Sequence, residues 1–203
     1  AHGNQGRITQ ALKLYAEAKI AYEAAGATSS PEYAGLLQSM GAAHGEQGRN
    51  TQALELYAEA KSVYEAAGAT SSPEYAGLLQ SMGAAHCNQG RNAQGLELCT
   101  EAKSVYEAAG ATSSPDYATL LQSMGTAHGD QGRNTRALEL YTEAKNAFEA
   151  AGAASSPDYA SLLQNMGTAH GNQGRITQAL ELYTEAKSAF EAAGATSSPD
   201  YAT

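Results

Sequence analysis

Histidine is the side chain with the clearest capacity for chemistry in this 203-residue chain, because imidazole binds metals and exchanges protons near neutral pH. Each of the five histidines opens a His-x-x-Gln-Gly-Arg motif, and the motifs stand 42 residues apart. A zinc ion needs several ligand atoms within about 2.1 Å, whereas packed helices lie about 10 Å apart. We therefore expect these side chains to pack between helices, with no metal site and no cofactor. They are His2, His44, His86, His128 and His170.

The two cysteines, Cys87 and Cys99, are too few for a disulfide framework, which favours a reducing, cytoplasmic location. Cys99 replaces a tyrosine that the other copies place on the core face, whereas Cys87 falls on the opposite, exposed face. Because the two side chains should point apart, we predict no bond between them. Gly95 replaces an alanine and weakens its helix. Residues 73–114 are therefore predicted to form the least stable part of the chain.

Serine and carboxylate side chains are abundant, but their positions predict structural roles. A Ser-Ser-Pro motif recurs with the same period; its last serine could be phosphorylated, yet serine before Pro and an acidic residue is also typical of a helix start. Carboxylates lie near lysines on exposed helix faces, as Glu59 and Glu65 do around Lys61. An active site is normally unique in a chain, and almost nothing here is unique. We predict that the protein is not an enzyme.

All of these motifs belong to one internal repeat. Residues 31–72 and 73–114 are identical at 36 of 42 aligned positions. Such similarity predicts a single array over residues 1–203 in which each unit contacts its neighbours. Because the array starts and stops inside a unit, we expect a fragment of a longer array whose uncapped ends associate end to end. Residues 1–6 should form the last turn of a first helix. The predicted units are a partial repeat 1–30, complete repeats 31–72, 73–114, 115–156 and 157–198, and a partial repeat 199–203.

Each repeat is predicted to fold into two helices. In the copy 31–72, Ser30 is a good N-cap, and the first helix continues to about Gln47. Gly48 supplies the left-handed conformation that ends it. A second helix follows from about residue 50 to residue 67, and Gly68 ends it. No segment has the alternating pattern of a strand. Neither helix can bury its apolar face alone, so the pairs must stack.

The spacing of large and small residues resembles the tetratricopeptide repeat. The residues that carry the resemblance are Leu37, Met40, Gly41, His44, Ala53, Tyr57, Ala60 and Pro73. The 42-residue length, with Gln-Gly-Arg between the helices, resembles the repeats of kinesin light chains. The resemblance implies an all-α fold, a right-handed superhelical α-solenoid of antiparallel helix pairs with about five repeats.

The same resemblance implies that peptides bind along the concave side of the superhelix, which the first helices line. Residues opposite the packing face of each first helix should then make the contacts. A glutamine recurs in every complete repeat and can both donate to and accept from a peptide backbone. Two carboxylates and no Lys or Arg predict a preference for neutral or basic peptides. The candidate residues are Gln38, Glu46, Gln80, Asn88, Gln122, Thr126, Asp130, Gln164, Thr168 and Asn172.

Net charge limits the remaining function classes. The chain carries 21 acidic and 12 basic residues, a formal charge of −9. This balance disfavours nucleic acid and anionic membranes as partners, and no apolar run approaches the ~20 residues of a membrane helix. The sequence therefore favours a protein-interaction scaffold or adaptor. The alternative is a structural spacer or self-associating rod without a peptide ligand, because a stripe of small polar residues is also typical of a solvated face.

Overall fold

The computed structural model describes residues 2–194, with the side chains described from residue 5 onward. This part of the chain forms nine α-helices and contains no strand. The side chain of His2 and the predicted partial repeat 199–203 lie outside the described residues. In chain order the helices are α1 (His2–Ala24), α2 (Pro31–Glu46), α3 (Asn50–Ala66), α4 (Pro73–Asn88), α5 (Asn92–Ala108), α6 (Pro115–Gly129), α7 (Asn134–Ala150), α8 (Pro157–Asn172) and α9 (Ile176–Ala192).

The helices fall into two compact units, the N-unit (Ala1–Ala109) and the C-unit (Gly110–Thr203). In the N-unit, α2 packs on α3 and α4 on α5; in the C-unit, α6 packs on α7 and α8 on α9. The second helix of one pair also contacts the first helix of the next, as α3 contacts α4 and α7 contacts α8. Each unit is therefore an all-α repeat solenoid, as the sequence predicted.

The predicted helix boundaries are confirmed to within two residues. The Oγ atom of Ser30 accepts a hydrogen bond from the backbone N–H of Tyr33 at 3.2 Å, and Pro31 occupies the first helical turn. Serine caps α4, α6 and α8 in the same way. Gly48 has a φ of 73°, which a residue with a Cβ rarely adopts, and Gly68 has a φ of 67°. The Ser-Pro motif therefore begins the first helices, and these glycines end the two helices of the pair.

The first helix of the chain differs from the prediction. The sequence predicts that residues 1–6 end one helix and that Gly6 forms a turn, but Gly6 lies inside α1, and its φ is not positive. In the later copies this turn joins two helices that pack through contacts such as Gly41 against Tyr57.

In three helix pairs, α2–α3, α6–α7 and α8–α9, a glycine on the first helix and a tyrosine on the second set the spacing; in α4–α5 Cys99 takes the place of the tyrosine, opposite Gly83. A Cβ placed on Gly41 would lie 2.4 Å from Cε1 of Tyr57, and one on Gly125 would lie 2.5 Å from Cε1 of Tyr141. The ring therefore occupies the volume that a side chain would need. The tyrosines at 57 and 141 are buried in the core. This arrangement explains why the repeat has glycine in the middle of a helix, where it costs helix propensity.

A polar contact joins successive repeats, and sequence reasoning missed it. The ammonium group of Lys19 lies 3.1 Å from the carboxylate of Glu59, and the hydroxyl of Tyr33 donates to the same carboxylate at 3.1 Å. The sequence suggests that Glu59 is a solvated charge beside Lys61. Its contacts instead connect α1, α2 and α3. The ion pair is partly exposed, so it contributes little beyond alignment of the helices.

The same contact recurs further along the chain. In the C-unit, Lys145 lies 2.8 Å from the carboxylate of Glu185, which accepts a hydrogen bond from Tyr159 at 3.2 Å. In the N-unit, burial, with Glu101 as the next cause, raises the pKa of Tyr75 to about 12. The tyrosine at the start of each first helix is thus a buried donor next to carboxylates.

Two glycines of α2 provide a matched test of this packing. Replacing Gly41 with Ala should lower the free energy of unfolding by about 1–3 kcal/mol, because the new methyl group overlaps the ring of Tyr57. Gly35 has no atom within 4 Å of its Cβ position, so Gly35→Ala should raise stability by about 0.5–1 kcal/mol through helix propensity. Urea unfolding followed by circular dichroism measures both. Equal effects of the two substitutions would contradict the proposed spacing role.

Candidate binding surface

In the N-unit, the candidate residues form a continuous stripe on adjoining first helices. Gln38 and Gln80 are half-buried, and α2 contacts α4 directly. The amide nitrogen of Gln38 lies 3.7 Å from the Cβ position of Gly77, so the stripe continues from one helix to the next without a gap. Glu46 and Asn88 are exposed near the carboxyl ends of the two helices. We call these residues and their equivalents the first-helix stripe.

The C-unit has the same arrangement on its own first helices. Gln122 and Gln164 are half-buried on α6 and α8, which also contact each other. Asp130 and Asn172 are exposed at the ends of these helices. The stripe in both units therefore has amides in its middle and exposed polar or acidic groups at one end.

The two candidate threonines form hydrogen bonds within their own repeats. Thr126 donates to the carbonyl oxygen of Gln122 at 3.1 Å and accepts from the hydroxyl of Tyr141 at 3.2 Å. Thr168 donates to the carbonyl oxygen of Gln164 at 3.1 Å, and its hydroxyl lies 3.2 Å from that of Tyr183. These hydroxyls connect the first helix to the second. The threonines therefore shape the stripe, and their hydrogen-bonding capacity is already used within the repeat.

The histidines of the motif have the properties of packing groups. His44, His86, His128 and His170 are half-buried, and the Nδ1 atom of each is buried without a hydrogen-bond partner. Burial lowers the pKa of His44, and the positive charge of Arg49 lowers it further. The neutral imidazole is therefore favoured at pH 7. In the part of the chain that the structure describes, no group of three or more His, Cys, Asp or Glu residues could hold a metal ion.

Cys87 does not point as the sequence suggests. Its sulfur faces α5, because a Cβ on Gly95 would lie only 2.3 Å from Sγ of Cys87. In another repeat the equivalent pair is Gly129 and Ala137, with the methyl carbon of Ala137 3.9 Å from the Cβ position of Gly129. In residues 73–114 the larger residue, Cys87, is therefore on the first helix and the glycine, Gly95, is on the second. In the other repeat the glycine is on the first helix and the larger residue is on the second. The sequence suggests that Gly95 only weakens its helix by replacing an alanine. In the structure, the absence of a side chain at Gly95 leaves room for Cys87 on the facing helix.

Both cysteines are free thiols with little nucleophilic character. Burial, with the nearby Cys87 as a second cause, raises the pKa of Cys99 to about 11. Burial also raises the pKa of Cys87. Since the thiolate is the reactive form, neither residue has the environment of a catalytic cysteine. The lower stability of residues 73–114 stays a prediction.

Helix pairs that stack on one another, with a glycine of the first helix against a tyrosine of the second, define the class of α-solenoid repeat proteins. The model of the tetratricopeptide repeat matches residues 74–150 and 124–192. These matches cover more than half of the chain, which therefore belongs to the tetratricopeptide repeat family. A comparison with curated protein sequences gave no match.

Solved structures share this fold at low sequence identity. BtubC (BKLC) from P. vanneervenii superposes with a TM-score of 0.79 at 17% identity, covering 94% of this chain and 76% of that one. A Podosopora anserina structure, described as kinesin light chain nearly identical TPR-like repeats, gives 0.70 at 14% identity, with coverage of 92% and 88%. MamA gives 0.62 at 17% identity, with coverage of 93% and 91%. The chain is thus an array of the kinesin-light-chain-like type in its fold.

Helix length and composition also bear on membrane crossing. Among the helices of residues 2–194, none combines the length and the apolar composition that crossing a membrane requires.

The exchange between Cys87 and Gly95 predicts a strongly non-additive pair of substitutions. Gly95→Ala alone should lower the free energy of unfolding by about 1–3 kcal/mol, because its methyl group overlaps the sulfur of Cys87. A Cβ on Gly95 would also lie 2.8 Å from the carbonyl oxygen of Gly83, so adding Cys87→Gly removes the overlap with the sulfur but not the one with the backbone. The double variant should therefore be more stable than Gly95→Ala alone, in a double-mutant cycle measured by urea unfolding. Additive effects would mean that the two positions do not face each other.

Proposed function

We propose that this protein is an interaction scaffold or adaptor that binds peptide segments of partner proteins along the first-helix stripe, on the concave side of the array. Membership in the tetratricopeptide repeat family supports a protein-interaction role in general. The observation that carries the finer proposal is the glutamine series. Gln38, Gln80, Gln122 and Gln164 remain partly exposed, on first helices that adjoin within each unit.

The chemistry of the stripe favours an extended, neutral or basic ligand. A side-chain amide can accept from a peptide N–H and donate to a peptide carbonyl, so a row of amides suits backbone recognition. Gly35 has open space around its Cβ position, which leaves room for a ligand side chain. The exposed carboxylates of Glu46 and Asp130 attract Lys and Arg in a ligand and repel Asp and Glu.

The proposal includes no catalytic step and places the protein in the cytoplasm. Neutral packing histidines and thiols with raised pKa values support a binding role rather than catalysis. The small number of cysteines, both unpaired, supports a reducing compartment.

A self-associating rod is the second candidate, and exposed apolar side chains support it. Leu14 and Ile20 on α1 are 59% and 65% exposed, and Leu180 on α9 is 60% exposed. The equivalent of Leu180 in the preceding repeat, Leu138, is half-buried. A second copy could cover these surfaces by stacking end to end, since solenoid repeats bury one another's apolar faces.

Peptide arrays test the scaffold proposal. Partners captured by the wild-type protein should bind Gln80→Ala and Gln122→Ala about tenfold more weakly, because each substitution removes hydrogen bonds to the ligand backbone. Gln52 is exposed on the second helix α3, so Gln52→Ala serves as the matched control and should bind normally. The measurement is fluorescence anisotropy with the captured peptides.

Reversing the charge of the stripe carboxylates tests whether ligands bind at the first-helix stripe or elsewhere on the protein. Glu46→Lys and Asp130→Lys should weaken binding of basic peptides and strengthen binding of acidic ones. Equal binding of all these variants would disprove the role of the stripe. A spacer without a ligand would give no reproducible capture on the arrays.

Light scattering tests whether the chain self-associates end to end. If the ends associate, the average mass should rise with protein concentration, and Leu180→Glu should abolish the rise by placing a charge in the apolar contact. Lys187→Glu, an exposed change on the same helix, serves as the control. A constant monomer mass over a wide concentration range would rule out this alternative.

A further inference from the structure

Lysines and arginines have separate roles in this chain. The lysines at 19, 61, 103 and 145 each lie within 4.0 Å of a carboxylate. Arg7 lies inside α1, and the other five arginines belong to the turn between first and second helices or to the first turn of the second helix. The turn arginines of the C-unit, Arg133 and Arg175, are exposed and form no ion pair with the described residues. In an acidic protein, this edge concentrates positive charge without neutralising it.

Two adjoining clefts lie at this edge of the C-unit, with volumes of about 440 and 310 Å³. Thr135 and Gln173 line both clefts and therefore mark the place where the two clefts meet. There Nε2 of Gln173 donates a hydrogen bond to Oγ1 of Thr135 at 3.2 Å. Arg133 and Arg136 line the larger cleft, and Arg175 lines the smaller one. The clefts are thus formed by the start of α7 and the turn between α8 and α9.

The charge of this surface is positive. Three arginines line the clefts against a single carboxylate, Glu139, whose Oε2 lies 2.7 Å from Arg136. That pair is 57% exposed on both sides, so solvent screens it and a competing carboxylate can reach the guanidinium. Arginine presents a planar fork of donors that suits carboxylates in particular.

We propose that this arginine-lined pair of clefts is a second binding surface, which takes an acidic, Asp- and Glu-rich segment of a partner protein. Charge complementarity selects the occupant: the three guanidinium groups favour carboxylates, and Thr135 and Gln173 line both clefts, so one extended segment can lie across them. The surface lies at the turns that follow the first helices, next to the Asp130 and Asn172 end of the first-helix stripe, and its charge preference is opposite to that of the stripe.

Arg136 distinguishes these clefts from the other copies. The equivalent positions carry glutamine, at Gln52, Gln94 and Gln178. The N-unit repeats the hydrogen bond between the two helices, because Gln89 donates to Thr51 at 3.3 Å, but there Arg91 also donates to Gln89. Position 52 therefore provides a control in which one substitution should create the missing charge.

The test is fluorescence anisotropy with a labelled Asp- and Glu-rich peptide and its Asn- and Gln-matched neutral counterpart. The wild-type protein should bind only the acidic peptide. Arg136→Gln should weaken that binding about three- to tenfold, and Glu139→Gln should strengthen it, because the internal competitor is removed. Gln52→Arg should add binding sites. Raising the salt concentration should weaken binding in all variants.

Several outcomes would overturn the proposal. Equal binding by wild type and Arg136→Gln, with circular dichroism showing both folded, would exclude the clefts. Displacement of the peptide by inorganic phosphate at low millimolar concentration would indicate a small-anion site instead. A salt-sensitive dimer that Arg136→Gln abolishes would identify a second copy of the chain as the occupant. Weakening by Gln80→Ala would assign the acidic peptide to the first-helix stripe, so the two proposals can fail separately.

Discussion

The close contact between a first-helix glycine and a second-helix tyrosine determines how near the helices approach in three of the four helix pairs between residues 31 and 192. The ring of Tyr57 fills the space where Gly41 lacks a side chain, and the small buried alanines of the pair leave room for this approach. That approach sets where the stripe of glutamines lies and how the turn with its arginine is presented. The candidate binding surfaces thus depend on one type of packing contact, which recurs along the chain, rather than on independent features.

The charge of a surface region depends on which helix ends lie in it. The starts of first helices carry an acidic residue and a tyrosine that contacts carboxylates, while the starts of second helices carry arginine. The lysine of one second helix contacts a glutamate of the next, so its charge is used within the fold. Further positive charge lies at the turn between the helices, where Arg133 and Arg175 are exposed. An acidic chain can therefore present a basic edge and a mildly acidic stripe without mixing them.

Much of the fold could be predicted from the sequence, because period, caps and turn glycines are local signals. The serine caps, the left-handed Gly48 and the buried tyrosines follow from residue type and spacing. The direction of Cys87 could not, since it depends on the space opposite, which Gly95 provides across the pair. The contact of Lys19 with Glu59 could have been predicted, because a lysine and a glutamate 40 residues apart recur along the sequence. The sequence instead suggests a pair between each glutamate and a nearer lysine on its own helix. Which of the candidate side chains touch a ligand depends on the ligand, so the sequence indicated only the face.

The constant spacing of these contacts has a consequence for how such a chain can change. Lys19 and Glu59 are 40 positions apart, as are Lys145 and Glu185, and the glutamine–threonine pairs are 38 apart in both units. Recombination between equivalent points of two near-identical coding segments would insert or delete whole copies. Every new junction would then contain the same partners at the same distances. The gene can therefore lengthen or shorten its product, and with it the number of copies of the first-helix stripe, without first evolving a new helix interface.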